Sequence, residues 1–301
     1  MKIHIDIEKD KDPNNRYKVL WDKLEIIEDL PIYLNEIKTY NYYDFEENVY
    51  SNSKKFSEEL VLSLLAGDII LLKNTFDKNY MNNIKNIFKK KFDESDSTFY
   101  KMKEGCPNFY RNITSKLSNK YAFHQVKKTY YLFPWNKENE PDIGDFYDQI
   151  YRRWRLLKYL SGFYKNAWES NTPKNGVIDR FQVAMYPSGS GEQQLHQDPY
   201  LFQKFFISIY LSKKNKDFLK GGIYLINKDK KIIDLENSID IGDMSFGFGT
   251  IYHGVDKITP INIKDNNNSQ RWWIGLYSTV SDYVDNRHTG KPISIKDTIN
   301  N

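Results

Sequence analysis

Cysteine is nearly absent: Cys106 is the only one in 301 residues. An intrachain disulfide is therefore impossible, and a zinc site built on cysteine is excluded. Long apolar runs are missing too, since no stretch approaches the roughly 18 apolar residues of a membrane span. The N-terminal MKIHIDIEKDKDPNN is too charged for a signal peptide. We therefore expect a cytoplasmic chain with no membrane attachment. A strong charge of one sign is also lacking, with 44 Lys and Arg against 40 Asp and Glu and a net charge of +4. Nucleic-acid binding rests on clustered basic surface rather than on so small an excess. The densest basic run, IFKKKFDES at 87–95, alternates with Ile and Phe like the solvated side of an amphipathic helix. No nucleic-acid partner is expected.

What the sequence has is aromatic bulk, 16% Phe, Trp and Tyr within 40% hydrophobic and 28% charged residues. That balance suits a folded chain with a large core. Helical spacing runs through YKVLWDKLEIIEDLPIYLNEI, KNYMNNIKNIFKKKF and the stretch 144–168, where Phe146, Ile150, Trp154 and Leu157 share a face. LLAGDIILLKNTF reads as a helix end, a Gly-Asp turn and a buried strand. Residues 100–140 read as irregular. Beyond Pro173 the pattern changes to short β-rich runs such as KFFISIYLS, GGIYLIN and RWWIGLYSTV, separated by turn residues. Many short strands at such intervals predict a sandwich or barrel-like jelly roll. The expected organisation is a single domain over 1–301: a mainly helical or irregular part at 1–172, a β core at 173–285 and a tail at 286–301.

Within the core, QQLHQDPYLFQ places His196 and Asp198 two positions apart. Residues i and i+2 of a strand point to one face, so both side chains can aim at one ion. Alone, this pattern is equally a hydrated turn. His253, in GTIYHGVDKITP, follows 55 residues after Asp198 (253 − 198), a separation that returns an antiparallel chain to its neighbourhood. Two imidazoles and one carboxylate with open positions opposite suit non-haem Fe(II), whereas closed structural zinc wants a fourth protein ligand. Arg271 opens an aromatic strand and shares one face of it with Trp273, Gly275 and Tyr277. A buried arginine needs an anionic partner: either a dicarboxylic cosubstrate held through paired hydrogen bonds, or a protein carboxylate. His124 reads as a structural histidine and Cys106 as a bystander.

With these elements in order, residues 177–280 resemble the Fe(II)/2-oxoglutarate-dependent dioxygenases, closest in style to their prolyl-hydroxylase-like and phytanoyl-CoA-hydroxylase-like branches. VAMYPSGSGEQQLHQDPY resembles the segment entering their H-x-D motif. ISIYLSKKNKDFLKGGIYLI resembles the next strand pair, with its double glycine at Gly221 and Gly222. IGDMSFGFGTIYHGV and RWWIGLYS resemble the strands of the distal histidine and of the cosubstrate's arginine. The loop KDNNNSQ before Arg271 is longer than is common there. The resemblance implies an α+β, mainly β chain with a double-stranded β-helix (jelly-roll, cupin-like) core and N-terminal and flanking helices. It implies His196, Asp198 and His253 as Fe(II) ligands and as the catalytic centre, and Arg271 as anchor of 2-oxoglutarate. Tyr186, Gln182 and Ser208 are further candidates for cosubstrate contact; each is alternatively a packing residue. The implied reaction hydroxylates a small-molecule substrate while 2-oxoglutarate and O2 become succinate and CO2. The intact Asp198 argues against the related halogenases, in which a small residue leaves room for halide. A cupin-type metal-binding protein that does not use 2-oxoglutarate is the alternative.

Overall fold

In a computed structural model, residues 3–51, 53–262, 269–285, 287 and 289–299 are described; part of the KDNNNSQ loop lies outside them. The first helix, α1 (Arg16–Leu24), starts where the Asn15 side chain accepts a hydrogen bond from the Tyr17 amide. The helical spacing read onward to Ile37 is not realised. Glu25 is already extended, and Leu30 is held extended ahead of Pro31. After β1 (Ile37–Asn41) and α2 (Tyr42–Tyr50) comes α3 (Lys54–Ala66). Gly67 ends α3 at φ +100°, where a Cβ would lie 2.4 Å from the Tyr33 carbonyl oxygen. The buried strand β2 (Ile69–Lys73) follows, as the sequence pattern predicts. In α4 (Lys78–Glu94), Met81, Ile84, Phe88 and Phe92 are buried at helical spacing, leaving the lysine run outward.

Residues 100–140, expected to be irregular, instead contain two paired strands. β3 (Phe109–Ile113) lies antiparallel to β4 (Gln125–Leu132), with the short α5 (Ser115–Ser118) between them. Their burial is shared among aromatic and polar residues on both faces, so a clean two-residue alternation is absent from the sequence. The helix α6 (Gly144–Leu160) buries Phe146, Ile150, Trp154 and Leu157 on its inner face. It stops at Leu160 rather than 168. Gly162 turns the chain at φ +89°, with a would-be Cβ 3.0 Å from the Lys18 Cα.

The rest builds β5 (Val177–Pro187), β6 (Glu192–Gln197), β7 (Phe205–Tyr210), β8 (Lys220–Ile226), β9 (Ile232–Asp234), β10 (Met244–Phe248), β11 (His253–Thr259) and β12 (Gln270–Val280). The two-residue β13 (Lys291–Pro292) and α7 (Ile295–Ile299) come last. Apart from the β8–β9 hairpin, successive core strands alternate between two layers: β10-β7-β12-β5 in one, and β6-β11-β8-β9 in the other. That alternation is the double-stranded β-helix. The N-terminal part does more than cover it. β2 pairs with β10 and carries β1 at the outer edge of the first layer. β4 pairs with β5 through Lys128–Leu132 and with β6 through Gln125 and Val126, joining the two layers along one side. Residues 1–172 therefore contribute four strands, where the sequence suggested mainly helix and irregular chain. Among the described residues, no helix is long and apolar enough to cross a membrane.

Candidate metal centre

His196 lies near the end of β6 and His253 begins β11, and the two are direct partners across the antiparallel pair. Opposed residues of such a pair share a face, so both imidazoles project into the space between the layers. Their ring centroids are 4.3 Å apart. Phe123 stacks on His196 at 4.2 Å and Phe206 on His253 at 4.4 Å, fixing both ring planes. Each Nδ1 then meets a carbonyl two residues back, Gln194 at 2.9 Å and Ile251 at 2.8 Å. A carbonyl only accepts, so Nδ1 carries the proton and each Nε2 keeps its lone pair; that of His196 accepts from the Gln193 amide at 3.1 Å.

Both unprotonated nitrogens turn toward Asp198. His196 Nε2 lies 3.6 Å from one carboxylate oxygen and His253 Nε2 lies 3.7 Å from the other. All three ligand atoms fall within 4.8 Å of one another. Burial works against charge on Asp198, but the two histidines facing it outweigh that and hold the carboxyl well below its usual range. Burial, with His253 beside it, lowers the pKa of His196 and favours its neutral, metal-binding form. Two neutral nitrogens and one carboxylate converging from one side fit a divalent iron-type ion with open positions opposite.

Two pockets meet at this triad. The narrow one, 20 Å³, runs from His196, Asp198 and His253 to Arg271, between Tyr186, Ser208 and Trp273. Arg271 is buried and its Nε donates to Glu236, whose carboxylate also accepts from the Ile223 amide at 2.8 Å. Arg271 thus has a protein carboxylate partner and also lines the pocket; that contact engages one of the five guanidinium N–H groups. Tyr186, opposite Arg271 on β5, donates its hydroxyl to Gln193 at 2.6 Å. Ser208 is on the same wall. Gln182 is not: it bonds Tyr277 and Thr129 and lines the wider pocket.

That wider pocket, 210 Å³, opens on the other side of Asp198 between β4, β5, β12 and the segment around Arg287. A larger cavity of 440 Å³ near His124 and Asp256 contains none of the three ligands. There His124 rests against Glu192 at 3.2 Å, consistent with a structural histidine.

Several pocket residues escape a reading of the sequence. Gln193 contacts His196 Nε2 at 3.1 Å, although simple alternation sends it to the opposite face. A register shift between His253 and Val255 brings it round. Lys127 is buried, donates to Gln193 at 3.2 Å and stands over the Trp273 ring. Burial pushes its ammonium down to about 7, with Arg180 adding to the effect and Asp198 opposing it. Trp273 lines the narrow pocket with its indole N–H buried and unpartnered.

No family model matches the chain, and no curated protein matches it. Among solved structures it is similar to a full-length Neurospora crassa protein in complex with alpha-KG, at 14% identity and TM-score 0.47, covering 85% of this chain and 87% of that one. A Pseudomonas putida prolyl-4-hydroxylase aligns at 10% identity and TM-score 0.44, over 74% of this chain and 98% of that one. A prolyl hydroxylase from Trichoplax adhaerens, solved with a hypoxia inducible factor oxygen degradation domain peptide fragment, aligns at 12% and 0.47, over 81% and 94%. The chain is thus similar to each of these proteins across most of its length.

Proposed function

We propose that the chain is an Fe(II)- and 2-oxoglutarate-dependent oxygenase that hydroxylates a small molecule. The observation that carries this reading is the pair of unprotonated Nε2 atoms, on His196 and His253, turned toward the Asp198 carboxylate. These three residues would hold the iron. Bound iron with 2-oxoglutarate supplies the oxidising chemistry, using O2 and releasing succinate and CO2.

The chain's own part is binding and orientation. The 20 Å³ pocket holds about one water as it stands and must widen to admit 2-oxoglutarate. Arg271 would then take the far carboxylate, with Glu236 fixing the guanidinium from its Nε side. Ser208 offers a hydroxyl on the same wall, and the indole N–H of Trp273 offers a donor. Tyr186, whose hydroxyl proton goes to Gln193, offers only its oxygen as acceptor. Gln182 belongs to the wider pocket and would face the substrate side instead. Phe123 and Phe206, stacked on the two histidines, keep the rings in place and shield them from water. A cupin-type metal protein with no use for 2-oxoglutarate would leave Arg271 only its structural pairing with Glu236, and its place on the pocket wall unused.

The test is iron-dependent formation of succinate from 2-oxoglutarate by purified protein. Turnover in the wild type that disappears in Asp198→Ala supports the reading. Equal turnover in both, or none with iron bound, contradicts it.

A further inference from the structure

The wider pocket carries cationic groups that the metal centre does not use. Arg180, on the inner face of β5 opposite Tyr277 of β12, lies between two aromatic rings. Its guanidinium carbon is 5.1 Å from the Tyr131 ring centre and 5.0 Å from that of Tyr277. Its Nε is buried with no hydrogen-bond partner, and among the described residues no carboxylate pairs with it. Arg287 lines the same pocket. Asp282 takes one of its terminal nitrogens, while its Nε is likewise buried and unpartnered. Lys127 stands on the same wall, and among the described residues Asp198, turned toward the metal position, is the only acidic one in the lining.

Among the described residues the Arg180 side chain makes no hydrogen bond or ion pair, so its terminal nitrogens, rather than the enclosed Nε, are the donors an anion in the pocket would complete. Stacking between tyrosines holds the Arg180 plane and leaves its edge for a planar anion. At 210 Å³ the space has room for a small acidic group or ring. We infer that this pocket binds the primary substrate and that the substrate carries an anionic group, a carboxylate or a phosphate, received by Arg180 with Arg287 beside it. This identification of the pocket as the substrate's rests on the oxygenase reading above; the anion site itself does not.

Three aromatic probes of similar size test it: benzoate, phenyl phosphate and neutral benzamide. Each is titrated calorimetrically into protein holding Fe(II) and saturating 2-oxoglutarate without oxygen, so that Arg271 is already engaged. Benzoate or phenyl phosphate should bind at least tenfold more tightly than benzamide, and whichever binds better identifies the anionic group. Arg180→Gln should weaken that binding tenfold or more, and Arg180→Lys should recover part of it. Arg155→Gln, a change to a surface residue paired with Glu169, should leave it as in the wild type. Thermal melting confirms that each variant is folded. Benzamide binding as well as the anions, neither anion binding, or Arg180→Gln binding them like the wild type would overturn the inference. The visible band of the iron–2-oxoglutarate complex separates the two claims. A band without anion binding defeats this inference alone. Anion binding to metal-free protein, lost in Arg180→Gln but with no band when iron and 2-oxoglutarate are added, defeats the oxygenase reading and leaves the anion site standing.

Discussion

Gly222 and Glu236 are packed so closely that a Cβ on the glycine would sit 2.4 Å from the Glu236 Cγ. Glu236 is the carboxylate that holds Arg271, so the second glycine of the pair at 221–222 leaves room for the support of the proposed cosubstrate anchor. Its φ of +104° is also one that side-chain-bearing residues rarely adopt.

Gly222→Ala should therefore affect two properties together. Overpacking costs about 1–3 kcal/mol, visible as a lower midpoint in urea unfolding, and displaced Glu236 should weaken 2-oxoglutarate binding. If the variant binds 2-oxoglutarate like the wild type, Glu236 is not needed to place Arg271.

A buried ion pair anchors α6 to the sheet. Lys158 donates to Asp179, which also accepts from the Ser278 hydroxyl at 2.8 Å, and both charged side chains are almost wholly enclosed. Removing one charge strands the other. Lys158→Met should destabilise the fold by about 3–5 kcal/mol, while the double change Lys158→Met, Asp179→Leu should recover part of that loss. Denaturant unfolding of the two variants measures both values, and equal stability of Lys158→Met and wild type would contradict the pairing.

Cys106 is enclosed beside Phe109 and Phe133. Burial pushes its thiol up to about 11, with the charge of Asp282 adding to the effect. A raised pKa leaves little thiolate at pH 8, so Ellman's reagent should react with the unfolded chain and hardly at all with the native one. Rapid native labelling would show that this cluster opens.

The meeting of His196, Asp198 and His253 was legible because each lies on or beside a strand whose pattern is clear in the sequence. An H-x-D pair needs only strand alternation, and His253 needs only the antiparallel return of the chain. The pocket walls were harder. Gln193 reaches His196 through a register shift that no residue pattern announces. Lys127 and Arg180 are 53 positions apart in sequence (180 − 127) and share a pocket because β4 pairs with β5. Nothing around 100–140 marked those residues as strand, since aromatic side chains occupy both faces of β3 and β4. Glu236 follows the same logic: its importance lies in partners contributed by β8 and β12. Where the strands themselves were plain, as for His253, pairing could be anticipated; where the strands or a register shift were hidden, as for Lys127 and Gln193, it could not.

The most direct measurement is an anaerobic titration with Fe(II) and then 2-oxoglutarate, following the visible charge-transfer band. The wild type should show the band, and His253→Ala should not. The double variant Arg271→Gln, Glu236→Gln, which leaves no buried charge stranded, should need about tenfold more 2-oxoglutarate or beyond, as expected for loss of a charge-assisted hydrogen bond. Iron bound without a band, or an unchanged 2-oxoglutarate requirement in the double variant, would contradict the assignment of this site.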